Sequence, residues 1–126
     1  MTGSHHHADH SGRMRPFVAL GAQAVVHTNS VSFFRDVFAN RDSRLFPDRL
    51  DRTNAEARLV PVRATGSITL ADPVRPIVVL PERTTHASTT ILVFVPSEGV
   101  LSSTAAPTRR PAPARARWTR RSGPTG

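Results

Sequence analysis

The sequence of 126 residues contains no cysteine, no lysine and no tyrosine. Without cysteine, neither a disulfide framework nor a thiolate metal site can form, so any fold must depend on burial of apolar side chains. The two strongest apolar runs, IVVL and ILVFV, are each followed by proline and fall far short of the roughly 18 residues that a membrane-spanning helix needs. We therefore expect no membrane span.

All of the formal positive charge is carried by arginine. Lysine is encoded by AT-rich codons and arginine mostly by GC-rich codons, so a GC-rich coding sequence explains this choice of cation without selection for phosphate recognition. The same bias supports an alternative hypothesis, in which the chain is an unselected translation product of a GC-rich reading frame and has no evolved function.

Recognisable catalytic motifs are also missing. The sequence has no G-x-G-x-x-G motif, phosphate loop or nucleophile elbow, and nothing in it pairs His27 or His86 with a nucleophile. Most of the nine acidic residues lie beside arginines, so no isolated carboxylate pair indicates general acid–base chemistry. We predict that the protein is not an enzyme and needs no cofactor.

The middle of the chain predicts two short helices. In SVSFFRDVFANR, Ser30 or Ser32 can cap a helix whose Phe34, Val37 and Phe38 share one face, a pattern typical of core packing. Further on, Pro47 can open a second helix in which Asp48 faces Arg52.

Four runs from Arg58 onward predict strands: RLVPVRA, SITLA, IVVL and TTILVFV. Pro61 favours a sheet edge for the first, and ILVFV is apolar on both faces, which fits a central or an aggregation-prone strand. The predicted fold class is α+β, with a small antiparallel sheet over about residues 58–96 and one or two short helices over about residues 30–57. We expect a monomer with a flexible leader (1–16), one domain (17–98) and a disordered tail (99–126).

The leader, MTGSHHHADHSG, places four histidines close to Asp9: they are His5, His6, His7 and His10. Imidazole and carboxylate groups suit zinc, nickel or copper. The neighbouring Gly and Ser residues favour flexibility, however, so we interpret the histidines as incidental and predict no metal site.

A second alternative hypothesis is export from a start at Met14, because Ala22-Gln23-Ala24 matches an A-x-A cleavage pattern. The apolar stretch before it, Phe17 to Gly21, is shorter than the roughly 7 residues of a working signal peptide. We therefore favour a cytoplasmic protein.

The tail carries the remaining functional signal. Of the net charge of +8, the segment after Glu98 contributes +6, from six arginines and no acid. Arginines can neutralise phosphates and a tryptophan can stack on a base, so we predict nonspecific nucleic-acid binding as the best-supported function. The residues expected to make these contacts are Arg109, Arg110, Arg115, Arg117, Trp118, Arg120 and Arg121.

Overall fold

A computed structural model describes residues 1–41 and 45–102, which adopt the predicted α+β fold. These residues form three short α-helices, one 3₁₀ turn (Thr28–Ser30) and six strands. The helices are α1 (Ala8–Ser11), α2 (Met14–Val18) and α3 (Val31–Ala39). The strands are β1 (Ala24–His27), β2 (Leu59–Val62), β3 (Ile68–Leu70), β4 (Ile77–Glu82), β5 (Thr90–Val95) and β6 (Val100–Ser102).

The predicted antiparallel sheet is confirmed, with the strand order β3-β4-β5-β6. The ILVFV run lies in β5, where Val93 is opposite Val79 of β4 on one side and Ser102 of β6 on the other. A strand with neighbours on both sides can be apolar on both faces, which accounts for its composition. Strand β6 takes up residues that the sequence analysis assigns to the tail, because the turn around Gly99 returns the chain to β5.

The RLVPVRA run forms β2, but β2 does not join the antiparallel sheet. It pairs in parallel with β1, and Pro61 lies opposite Val26. All four residues of β1 are buried, so the AVVH stretch is a core strand. Since β2 pairs only with β1 in this two-stranded sheet, Pro61 removes no hydrogen bond from a central position.

Residues 1–16, for which the sequence predicts a flexible leader, pack against the rest of the chain. The carbonyl of Met1 accepts a hydrogen bond from the Val25 amide of β1 (2.8 Å), and the carbonyl of Ser4 accepts one from the Ile91 amide of β5 (2.7 Å). Residues 1–4 thus link the two sheets. Gly3 permits this approach, because a Cβ there would lie 2.9 Å from Met14 Sδ.

Two groups of buried side chains form the core. Phe34 and Phe38 of α3 pack with Met14 and Val18 of α2 and with β1, as the helical stripe predicts. The second group lies between the sheets and contains Val25, Val62, Val79 and Ile91.

The second predicted helix is absent, and residues 49–52 form a turn instead. Asp48 and Asp51 each accept a hydrogen bond from the other's backbone amide (3.0 and 2.7 Å), which closes the turn locally. Asp48 pairs with the buried guanidinium of Arg15 rather than with Arg52 as predicted. Side-chain bonds of this kind compete with helix formation, and here the distant Arg15 favours the turn.

Within residues 1–41 and 45–102, no helix is both long and apolar enough to cross a membrane.

Candidate metal centre

Three histidines converge where the leader meets the loop between β4 and β5. His5 follows Ser4, which is bonded to β5, and His7 immediately precedes α1. His86 lies in the β4–β5 loop, where the Thr84 hydroxyl accepts a hydrogen bond from the Ala87 amide (3.0 Å). Both sides of the cluster are therefore held by local hydrogen bonds.

One nitrogen from each ring contributes to a nearly equilateral triangle, here called the histidine triangle. His5 Nε2 lies 3.1 Å from His7 Nδ1, His7 Nδ1 lies 3.0 Å from His86 Nε2, and His86 Nε2 lies 3.2 Å from His5 Nε2. In a tetrahedral zinc site with Zn–N bonds of 2.0–2.1 Å, neighbouring ligand atoms are separated by about 3.3–3.4 Å. The triangle is within a few tenths of an ångström of that spacing.

Hydrogen bonds alone cannot satisfy such a triangle. Each ring nitrogen has either one hydrogen or one lone pair, directed along a single line in the plane of the ring. Three nitrogens that all face one another therefore cannot form three well-aligned hydrogen bonds. One cation bound to all three nitrogens, slightly out of the plane of the triangle, can accept all three lone pairs.

His5 is chemically suited to be a ligand. Its side chain is only 1% exposed, and burial lowers its pKa to about 4, with further lowering by the positive charges of His10, His7 and His86 against an opposing effect of Asp9. The ring is therefore neutral at pH 7. Its Nδ1 lies 3.0 Å from the Ser4 hydroxyl, and a hydrogen bond donated there leaves the Nε2 lone pair for a metal.

Asp9 and His10 lie next to the histidine triangle. His10 Nε2 is 3.1 Å from Asp9 Oδ2, and the His10 ring centroid is 4.3 Å from that of His5. Together with His5 they form a second group whose potential ligand atoms all lie within 4.8 Å of one another. The two groups share His5, and among the described residues neither Asp9 nor His10 is grouped with His7 and His86.

The other histidines have different surroundings. His6 Nδ1 lies 3.1 Å from the Thr89 hydroxyl, and its ring contacts Phe33 edge-on. His27 is buried, accepts a hydrogen bond from the Asn29 amide (3.1 Å) and has a pKa lowered by burial. Among the described residues, His27 thus lies apart from the histidine triangle, with its ring bonded to the backbone of the following turn.

Sequence reasoning noticed the leader histidines but missed His86 as their partner. His86 is 79 residues from His7 and 81 from His5, and no local spacing relates them. The available signal was indirect: ERTTHAS separates two predicted strands, which places His86 at the end of a hairpin. The seven tail residues predicted to bind nucleic acid lie outside the described residues.

Imidazole nitrogens, with or without a carboxylate, bind zinc, copper and nickel well and are poor ligands for magnesium or calcium. His5 is buried, His7 is half-buried and His86 is exposed, so an ion can reach the triangle from solvent.

The chain matches no family model, no curated protein and no solved structure.

Proposed function

We propose that this protein binds a divalent transition-metal ion of the zinc class through His5, His7 and His86. The observation that carries the proposal is the histidine triangle, whose sides of 3.0–3.2 Å bring three nitrogens around one point. A water molecule can occupy the fourth position of a tetrahedral site. This proposal replaces the interpretation of the leader histidines as incidental, because His86 comes from a different part of the fold.

The decisive experiment measures zinc binding by titration calorimetry, and tetrahedral coordination by the visible absorption of the Co²⁺ form, in the full chain. Replacing His86 with alanine removes a ligand outside the leader. We expect a loss of zinc affinity greater than the 10- to 100-fold typical of removing an outer hydrogen-bond partner of a ligand.

His6→Ala is the matched control, since His6 belongs to the same leader but bonds to Thr89. We expect it to lose far less zinc affinity than His86→Ala, because it removes a contact with Thr89 and no ligand. If His86→Ala and His6→Ala both bind zinc like the parent protein, the leader binds metal only as a flexible histidine-rich peptide, and the proposal is wrong.

We propose nonspecific nucleic-acid binding through the tail as a second candidate function. Six arginines and no acid after Glu98 support it, together with Trp118 among the arginines. Contact with about five phosphates gives a slope near −4.5 for log affinity against log salt on duplex DNA. Trp118→Ala should weaken single-strand binding by roughly 1–3 kcal/mol and leave duplex binding almost unchanged.

The deletion that tests this second candidate must begin after Ser102, because Val100–Ser102 form β6. The shortened chain retains the sheet, and we expect it to lose binding to nucleic acid. Binding that persists in the shortened chain, or that hardly changes with salt, would contradict the assignment to the tail.

A further inference from the structure

We infer that metal binding stabilises the docking of residues 1–7, the leader strap, across the two sheets and so shifts the strap from its released to its docked state. This inference rests on the proposed metal site. It adds a consequence that zinc binding by itself does not require: backbone amides distant from the ligands should exchange their hydrogens more slowly when zinc is bound.

Several contacts besides the histidine triangle hold the strap to the rest of the chain. Its backbone accepts hydrogen bonds from the amides of Val25 and Ile91, and the Met1 ammonium donates one to the Gln23 carbonyl (2.8 Å). The His6 ring adds contacts with Thr89 and Phe33. Each such contact contributes little net stability, and ordering the segment costs conformational entropy, so a bound ion can still add to the stability of the docked strap.

An ion in the histidine triangle favours the docked strap because its ligands come from both sides of the contact. His5 and His7 belong to the strap, whereas His86 belongs to the β4–β5 loop. When the strap is released, the three nitrogens separate and the site no longer exists. The ion therefore binds the docked state preferentially and shifts the population toward it.

Linkage makes the effect reciprocal: anything that disfavours docking must also weaken zinc binding. Gly3 provides a test that changes no ligand. A Cβ at this position would lie 2.9 Å from Met14 Sδ and 3.3 Å from the His10 carbonyl oxygen, so Gly3→Val opposes docking. Gly66→Val is the matched control, because a Cβ there meets only Arg63 Cβ at 3.9 Å.

The first measurement is zinc affinity in the full chain. We expect Gly3→Val to bind zinc at least tenfold more weakly than the parent protein and Gly66→Val to bind it equally well. Because neither change touches a ligand, unchanged affinity in Gly3→Val would overturn the strap inference while leaving the metal site intact. No zinc binding by the parent protein would instead overturn the proposed function.

The second measurement is amide hydrogen exchange at Val25 and Ile91, whose N–H groups are bonded to the strap. With zinc at about 100 times its Kd, the ratio of docked to released strap rises about 100-fold. We expect exchange at these two amides to slow by up to that factor relative to protein in EDTA, with a smaller change in the β4–β5 ladder. Equal exchange at both amides with and without bound zinc would overturn the inference.

Discussion

Replacing Arg15 with alanine tests the buried ion pair that positions the turn at residues 48–51. The Arg15 side chain is only 2% exposed, and its Nε donates to Asp48 Oδ2 (2.6 Å). Its two Nη atoms donate to both aspartates and to the Asn40 carbonyl (3.1 Å), among other partners. A single guanidinium thus joins α2 to the end of α3 and to the turn.

Removing one partner of a buried ion pair costs about 3–5 kcal/mol, because the other charge stays in a poorly solvated position. The Asp51 side chain is 4% exposed, so its charge lies in a poorly solvated position. Asp48 is more accessible, at 23%, and both carboxylates keep hydrogen bonds from backbone amides. We therefore expect the lower end of the range, about 3 kcal/mol, which corresponds to a fall in Tm of roughly 12–24 °C for a domain of this size.

Urea denaturation followed by circular dichroism measures the change. We expect a lower midpoint with an unchanged slope, which would indicate lost stability and not a different denatured state. Arg52→Ala is the control, since Arg52 is an exposed arginine of the same turn, and it should change stability by less than about 0.5 kcal/mol. If Arg15→Ala costs less than about 1 kcal/mol, the ion pair does not stabilise the fold as argued.

Three further predictions concern the core and the histidines. In EDTA, the contribution of His5 to the free energy of unfolding should be nearly constant above about pH 7.5 and fall as the pH drops toward about 4, because the lowered pKa of His5 makes the unfolded chain bind the proton first. The pKa of His27 is also lowered, so His27 changes the free energy of unfolding in the same direction as the pH falls. In His5→Asn, the free energy of unfolding measured by urea denaturation should depend less on pH than in the parent protein. Ile91→Asp places a charge at a position that is 2% exposed and should prevent folding. Leu101→Asp, at an edge-strand position that is 52% exposed, is the control and should still give the circular dichroism spectrum of a folded protein. Ser30→Ala should leave the unfolding free energy unchanged or raise it by up to about 1 kcal/mol. The reason is that the buried Ser30 hydroxyl has no hydrogen-bond partner among the described residues. A clear loss of stability would show that this hydroxyl does have a partner.

The parts of the fold that could be predicted are those set by short-range patterns. Alternation in SITLA and the apolar runs of β4 and β5 indicate strands because side chains in a strand alternate between faces. The spacing of Phe34 and Phe38 indicates the buried face of α3 because they lie one helical turn apart. None of these patterns states which strands pair, and so the parallel pairing of β1 with β2 was not predicted.

The parts that could not be predicted depend on residues far apart in the chain. An isolated Pro47–Arg52 segment has helix-forming pairs, but Arg15 supplies a partner for Asp48 that only the fold brings close. Gly3 was likewise interpreted as a source of flexibility in the leader. In the structure it is a position of close packing against Met14, because the absent side chain is what lets the leader approach α2.

His86 distinguishes a built metal site from an incidental cluster of leader histidines. A flexible histidine-rich peptide binds metal equally in folded and unfolded chains, and such binding cannot stabilise a fold. A site that also needs a ligand 79 residues away exists only when the chain is folded, so its metal affinity must appear as added stability. A zinc-dependent rise in Tm that disappears in His86→Ala and persists in His6→Ala is therefore the signature of the histidine triangle. If zinc binds measurably but does not change Tm, the leader histidines bind metal only as a flexible peptide does, and the histidine triangle is not a metal site.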